Sequence, residues 1–178
     1  MGLFSFFKKD KSAIKNDFTL DELKKGFVVD YFMKSWEVTK VYLYDWGNNF
    51  FAREYLLDSG DETLYLYVED DDGLICSIWN KIDITEIEPD LFKMIVANDD
   101  APSQITYKNG IYTKTESSQG HCNEEGEDEE TYTELVNWTY KNSKEKHFIS
   151  VSRTGEEEFD VSYGEYVKDI EFSNILPI

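Results

Sequence analysis

The clearest hydrophobic pattern in the chain lies between residues 62 and 81. Leu64, Leu66 and Val68 alternate with tyrosine and glutamate, and a similar alternation resumes beyond the acidic segment 70–73. Side chains on a β-strand point to opposite faces in turn, so a period of two is typical of a half-buried strand. This stretch therefore predicts an antiparallel β-hairpin, around which the rest of the first half is organised.

The remainder of the first half, residues 16–83, repeats this rhythm. A capping-box pattern from Thr19 to Glu22 predicts one short helix that ends near Gly26. Three strands precede the hairpin, at residues 27–32, 35–44 and 50–57. Five strands with short connections predict an antiparallel meander that curls into a small barrel or a strongly twisted sheet.

The regular pattern stops between residues 84 and 102, which we interpret as a linker. Leu91, Met94 and Ile95 recur there at helical spacing and predict a short helix over residues 90–97. Residues 103–178 are predicted to form a second β module. Its later strands are expected at 132–140, 146–152, 158–163 and 166–172.

The second half can be aligned with the first, which predicts an internal duplication. The offset stays constant within strands and changes only across loops, because a one-residue slip would turn the faces of a strand over. At an offset of 76 residues the aligned pairs are Val29/Ile105, Tyr31/Tyr107 and Trp36/Tyr112. At an offset of 83 they are Tyr55/Trp138, Leu57/Tyr140, Leu66/Ile149 and Val68/Val151, and at an offset of 84 they are Ile75/Phe159 and Trp79/Tyr163. We expect an all-β fold of two homologous antiparallel modules packed together, with short helices at the N-terminus and in the linker.

The offset grows within residues 117–130, where the chain is strongly acidic. Cys122 is the one apolar residue of this segment. Like charges at this density resist compaction, so the segment is predicted to be a mobile loop.

Charge is the strongest global feature of the chain. Its 178 residues include 37 acidic and 18 basic side chains, which gives a net charge of -19. Such a surface repels phosphate backbones and argues against nucleic-acid binding. It favours polyamines, divalent cations or basic proteins as partners, and it is also typical of a soluble protein. We expect a cytoplasmic location.

The first fifteen residues combine an apolar patch with lysines. Leu3, Phe4, Phe6 and Phe7 precede the basic segment 8–11. Peripheral contact with a membrane or a partner groove is one interpretation, and a flexible tail is the other. The segment lacks the features of a signal peptide, Phe6 breaks the myristoylation pattern, and no run reaches transmembrane length. We therefore expect no stable membrane anchor.

No catalytic motif or metal-ligand set stands out. Residues 70–73 resemble part of a calcium loop but lack its spaced ligands and closing glutamate. His121 and Cys122 lack a second ligand pair for zinc, and acidic neighbours would raise the pKa of the thiol and weaken it as a nucleophile. The sequence predicts no catalytic residues, no metal site and no cofactor.

Several aromatic residues are candidates for the wall of a ligand-binding cleft between the modules: Trp36, Trp46, Tyr55, Trp79 and Trp138. Aromatic walls with carboxylate rims suit cationic small molecules such as polyamines, through cation–π and charge attraction. The alternative is that these rings fill the hydrophobic core.

A set of motifs runs through both halves: Gly26-x-x-Val29-x-Tyr31, Ser35-Trp36-Glu37-Val38, Glu54-Tyr55-Leu56-Leu57 and Leu66-Tyr67-Val68-Glu69-Asp70, followed by Trp138, Ile149-Ser150-Val151 and Tyr163-Gly164-Glu165. Over residues 20–176 the chain resembles the bacterial domain-of-unknown-function family numbered 4178. It departs from that family at Ser152, where an acidic residue is expected, and in its long acidic segment. The resemblance implies no established activity. It suggests an accessory role in an envelope or stress system, because relatives tend to be encoded beside small membrane proteins and polyamine-synthesis homologues.

Two functional hypotheses follow. The first is a non-enzymatic intracellular binding or adaptor protein with an unknown protein partner. The second is a small-molecule binder or enzyme that uses the cleft between the modules and prefers a cationic ligand. A deep pocket lined by convergent polar groups would favour the second, whereas an interface filled by buried rings would favour the first.

Overall fold

The computed structural model describes residues 18–70, 72–127, 131–142 and 146–178. The fold within these residues is mainly β, as predicted. Its strands are β1 (Phe27–Tyr31), β2 (Lys34–Asp45), β3 (Phe51–Asp58), β4 (Thr63–Asp70), β5 (Leu74–Ile82), β6 (Gln104–Tyr107), β7 (Gly110–Glu124), β8 (Thr133–Lys141), β9 (His147–Arg153), β10 (Phe159–Val167) and β11 (Phe172–Pro177). The apolar N-terminal patch of Leu3, Phe4, Phe6 and Phe7 lies outside the described residues.

Helical structure is limited to short segments. The predicted linker helix is confirmed as α1 (Leu91–Asn98). The helix expected after Thr19 is only a 3₁₀ turn (Leu20–Glu22), in which the carboxylate of Glu22 accepts a hydrogen bond of 3.1 Å from the backbone N–H of Thr19. Leu23 is already extended and buried, so core packing ends the turn early. Further 3₁₀ turns span Ile84–Glu86 and Asp169–Glu171.

All strands belong to one antiparallel sheet that closes on itself. Its order is β11-β1-β2-β3-β4-β5-β10-β9-β8-β7-β6, and β2 also pairs with β7. The strands from β2 to β5 and from β7 to β10 therefore form a ring of eight. Each half was expected to curl by itself, whereas the closure takes both halves.

Two hydrophobic cores lie on the face of the sheet that points away from the ring interior. The first contains Trp36 and Tyr55, and Leu20 and Phe172 pack against them from outside the ring. The second contains Trp138 and is covered by α1. Because Phe172 begins β11, which pairs with β1, the end of the second predicted module packs in the first half.

The first three strands of each half repeat one another in detail. The two-residue turn at Phe32 and Met33 has positive φ angles at both positions, and so has the turn 76 residues later. A bulge interrupts β2 at Thr39 and β7 at Thr115, again 76 residues apart. Both threonine hydroxyls donate to a backbone carbonyl of the next strand, at 3.1 and 3.2 Å.

The second hairpin does not keep the predicted alignment. Tyr55 pairs with Leu66, but its counterpart Trp138 pairs with Val151 and not with Ile149. The connection between β8 and β9 is longer than that between β3 and β4, and it moves the register by two residues. An even shift leaves every side chain on its original face, so both cores still form.

Two segments of the second half differ from the sequence-based expectation. Residues 117–124 were predicted to be part of a mobile loop, but they continue β7. Residues 166–172 were predicted as the last strand, but β10 runs on to Val167 and the last strand begins at Phe172. No residue of β7 between Thr113 and Cys122 is buried, so this stretch packs on neither core and lacks the apolar alternation from which strands are recognised.

Glycines allow the two halves to approach closely where the ring closes. A Cβ atom on Gly164 would lie 2.4 Å from the carbonyl oxygen of Ile78, across the pair of β5 and β10. A Cβ atom on Gly120 would lie 2.5 Å from the carbonyl oxygen of Asp45, across the pair of β2 and β7. Both contacts are shorter than a side chain tolerates, so each junction depends on a glycine.

Candidate functional site

The ring encloses a cavity of about 480 Å³. Every strand of the ring contributes at least one side chain to its wall. An eight-stranded closed sheet is just wide enough to be filled by side chains or to hold one small ligand. Here the inward-facing side chains leave space, because many of those from the second half are small.

Aromatic rings from the first half form one side of the cavity. Tyr44 stacks on Trp46 with ring centroids 5.6 Å apart and meets Tyr67 edge-on at 5.8 Å. The indole N–H of Trp46 donates to the hydroxyl of Tyr67 at 2.7 Å, which fixes both rings. Trp79 packs edge-on against Phe148 of β9 at 4.6 Å. These rigid faces form a preorganised aromatic wall.

The charged residues that line the cavity are mostly acidic. Four carboxylates, Glu54, Glu69, Glu116 and Asp160, face one ammonium group, that of Lys81. The Lys81 ammonium lies 3.5 Å from Asp160 and 4.9 Å from the centre of the Tyr65 ring, so it is already engaged. The lining is therefore net negative.

Glu54 is an acidic residue of the cavity wall with a shifted pKa. Burial raises the pKa of its carboxyl above the ordinary value for glutamate, although the positive charge of Lys81 acts in the opposite direction. The hydroxyl of Tyr44 donates to Glu54 at 3.3 Å. Burial also raises the pKa of Tyr44, which therefore stays a neutral donor. A carboxylate in this position gains from a nearby positive charge.

Neutral polar side chains from β8 and β9 form the opposite side. Asn137 and Thr139 on β8 lie beside Ser150 and Ser152 on β9. Both serine hydroxyls donate to the side-chain oxygen of Asn137, at 2.5 and 2.9 Å. The amide nitrogen of Asn137 donates to the hydroxyl of Thr139 at 3.3 Å. This wall is thus a connected hydrogen-bond network.

The two cysteines differ in position. Cys122 lines the cavity, and Cys76 lies in the first core. Burial raises the pKa of both thiols, that of Cys76 to about 11. Neither is a thiolate at neutral pH, so neither has the activation that a catalytic nucleophile needs.

The aromatic residues singled out from the sequence are distributed between the cores and the cavity. Trp36, Tyr55 and Trp138 are buried in the cores and do not line the cavity. The indole N–H groups of Trp36 and Trp138 donate to the Tyr31 carbonyl and to Asp100, at 3.0 and 2.8 Å. Trp79 and Trp46 do line the cavity.

The sequence-based reasoning missed Glu54 and the network around Asn137. Glu54 directly precedes the core residue Tyr55, and Ser150 and Ser152 alternate with the core residues Ile149 and Val151. A polar residue on the opposite face of a well-buried strand normally faces solvent, so only the closure of the sheet reveals that these face a cavity.

The described residues contain neither a grouped set of metal ligands nor a membrane-spanning helix. No group of three or more histidine, cysteine or acidic side chains there is placed to hold a metal ion. No helix in the same part of the chain is both long and apolar enough to cross a membrane.

The comparisons with known proteins identify relatives but no activity. The family model of a domain of unknown function, DUF4178, matches residues 24–169. An "Uncharacterized protein" of Aquifex aeolicus (strain VF5) is 27% identical over 170 residues, which cover 96% of this chain and 90% of the relative. No solved structure matches the chain significantly. Function must therefore be argued from the cavity.

Proposed function

This chain belongs to the DUF4178 family, and from its cavity we propose that it is a non-enzymatic binding protein for a small organic cation. The observation that carries the proposal is the lining: four carboxylates, a wall of aromatic rings and one lysine line a cavity that is partly open to solvent. Cavities of this size are typical of small-molecule sites, which combine apolar walls with a few placed polar groups.

Electrostatics supports a cation as the ligand. The carboxylates that line the cavity, of which Glu116 and Asp160 are solvent-exposed, attract positive charge at short range, and the net charge of -19 attracts it at long range. The faces of Tyr44, Trp46 and Trp79 offer cation–π contacts to an ammonium or guanidinium group. An anionic ligand would meet four carboxylates and one lysine that already lies beside Asp160.

Glu54 is proposed as the main counter-ion. Its carboxyl has a raised pKa because burial disfavours the charge. A bound cation would stabilise the ionised form and lower that pKa again, so cation binding and proton release from Glu54 should be linked. Affinity should therefore rise with pH across the titration of Glu54.

The experiment is a thermal-denaturation series with spermidine and, separately, with calcium. Spermidine should raise the melting temperature with a dependence on concentration that gives a dissociation constant, because a ligand that binds only the native state stabilises it. High salt should weaken the effect because it screens the charges. Calcium should have little effect, since no three acidic, histidine or cysteine side chains among the described residues are grouped to hold a metal ion.

Glu54→Gln and Glu37→Gln form a matched pair of variants. Both remove one negative charge, but Glu37 is exposed on β2 outside the cavity. Glu54→Gln should weaken spermidine binding at least tenfold, which is the loss of about 1.4 kcal/mol. Glu37→Gln should bind like the wild type. Equal effects of the two substitutions, or no stabilisation by spermidine, would contradict the proposal.

A second candidate function, an adaptor role in the cytoplasm, is favoured by one exposed turn. Phe32 is 79% and Met33 97% exposed, and both have the positive φ angles that bulky residues disfavour. Apolar side chains kept at a strained, exposed tip suggest contact with a protein partner. An accessory role in an envelope or stress system is compatible with either function.

We also propose that the chain arose by internal duplication. The repeated turn and the paired bulges at Thr39 and Thr115 support this origin for the first three strands of each half. The two-residue change of register beyond β8 is then a later divergence. It accompanies the replacement of large inward side chains by small polar ones.

A further inference from the structure

The neutral wall of the cavity has a hydrogen-bonding preference of its own. Asn137, Ser150 and Ser152 are held by the pairing of β8 with β9, in which Asn137 stands directly opposite Ser152. All three side chains face the cavity. They therefore form a fixed group.

The hydroxyl hydrogens of this group are already used. Ser150 and Ser152 each donate their hydroxyl hydrogen to Asn137, at 2.5 and 2.9 Å. A hydroxyl has one hydrogen and two lone pairs, so each serine oxygen can still accept but not donate. The group thus offers acceptors to a ligand.

The group occupies a position in the second half that corresponds to that of Glu54 in the first half. Asn137 on β8 lies 83 residues after Glu54 on β3, at the offset that relates Tyr55 to Trp138. The cavity therefore has a charged acceptor from one half and a neutral acceptor group from the other.

We propose that Asn137, Ser150 and Ser152 form a second subsite that binds a hydrogen-bond donor at the far end of a ligand whose cationic end lies at Glu54. This inference rests on the proposed function, since it describes the other end of the same ligand. The ligand is accordingly a bifunctional amine, such as a diamine or an amino alcohol. An amino acid is disfavoured, because its carboxylate would meet the serine lone pairs and the net negative lining, with only the remaining amide hydrogen of Asn137 as a donor in this group.

Ligands that share one chain and differ only at the far end test this directly. The series compares a straight-chain alkylamine, the corresponding amino alcohol, the diamine and the amino acid, at chain lengths from four to eight carbons. Calorimetry with the wild-type protein should give tighter binding of the diamine and the amino alcohol than of the alkylamine at one or more lengths. The amino acid should bind most weakly.

The variant Ser150→Ala/Ser152→Ala isolates the subsite. It should reduce affinity for the diamine and the amino alcohol about tenfold and leave the alkylamine unchanged, as expected for the loss of hydrogen bonds at one end only. Ser173→Ala, on exposed β11, is the matched control and should change nothing. Asn137→Asp should shift preference from the amino alcohol towards the diamine, since it adds a charge.

The outcomes separate this inference from the proposed function. Amine binding that depends on Glu54 but is equal for the alkylamine and the amino alcohol at every length would overturn the subsite alone. An equal loss for all ligands in the serine variant would also overturn it. Absence of binding by every amine would remove both the subsite and the proposed function.

Discussion

The turn between β1 and β2 should become more stable when its two apolar residues are replaced. Phe32 and Met33 have φ angles of 47° and 62°. A side chain in the left-handed region costs about 1 kcal/mol or more per residue, so the turn stores about 2 kcal/mol. Asn-Gly is the preferred pair for a two-residue hairpin turn with both φ angles positive.

Phe32→Asn/Met33→Gly should therefore stabilise the protein. Little buried area is lost, because the two side chains are 79% and 97% exposed. The new glycine also loosens the unfolded chain, which offsets about 0.5–1 kcal/mol of the gain. The net effect should be a gain of about 1 kcal/mol, or a melting temperature higher by about 2–4 °C for a chain of this size.

Urea denaturation monitored by tryptophan fluorescence measures this gain. The midpoint should rise while the slope of the transition stays constant, since the buried surface is unchanged. The corresponding turn of the second half, Lys108-Asn109, is the control. Lys108→Asn/Asn109→Gly should gain less, because an asparagine already occupies one position with positive φ. A neutral or destabilising result for the first turn, with the slope unchanged, would refute the strain argument.

Three further predictions concern the cores and the cavity. Gly164→Ala should lower the free energy of unfolding, measured by chemical denaturation, by about 3 kcal/mol, because the new Cβ would press on the carbonyl of Ile78. The control Gly155→Ala, whose Cβ would have its nearest neighbour at 3.5 Å, should stay within about 0.5 kcal/mol of the wild type. Tyr55→Phe should stabilise the protein by about 1 kcal/mol, because the buried hydroxyl of Tyr55 has no hydrogen-bond partner among the described residues. A loss of stability would contradict this and would mean that the hydroxyl does have a partner. Glu54→Gln should be more stable than the wild type at pH 7. The raised pKa of Glu54 means that its ionisation in the folded state costs stability as pH rises, so the difference should shrink as pH falls towards the ordinary value for glutamate.

The sequence predicts the strands of the first half well because their outer face is apolar. Leu64, Leu66 and Val68 lie in the first core, and the alternation that identifies β4 reflects this burial. The linker helix is found for the same reason, since Leu91 and Ile95 are buried on one face. The spacing of apolar residues along the sequence thus indicates which elements pack against a core.

The closure of the sheet and the cavity could not be predicted in this way. The pairing of β2 with β7 joins Tyr42 to Glu124, far apart in the sequence, and no local pattern encodes it. Residues 117–124 look like a loop because they contribute no apolar residue to either core: Asn123 is the buried residue among them. The distribution of the aromatic candidates could not be predicted either: Trp36 lies in a core and Trp79 lines the cavity, and only the closure of the sheet distinguishes them.

The return of β11 to β1 has a consequence for how this protein is made. Phe172 stacks on Tyr31 with ring centroids 4.5 Å apart and completes the first core. The amino-terminal half therefore lacks a structural component until residues 172–177 have been synthesised. Contacts over such long sequence separations slow folding. The first core can therefore be completed only after the last strand has been translated. Until then β1 has an unpaired edge, which a chaperone would be expected to shield.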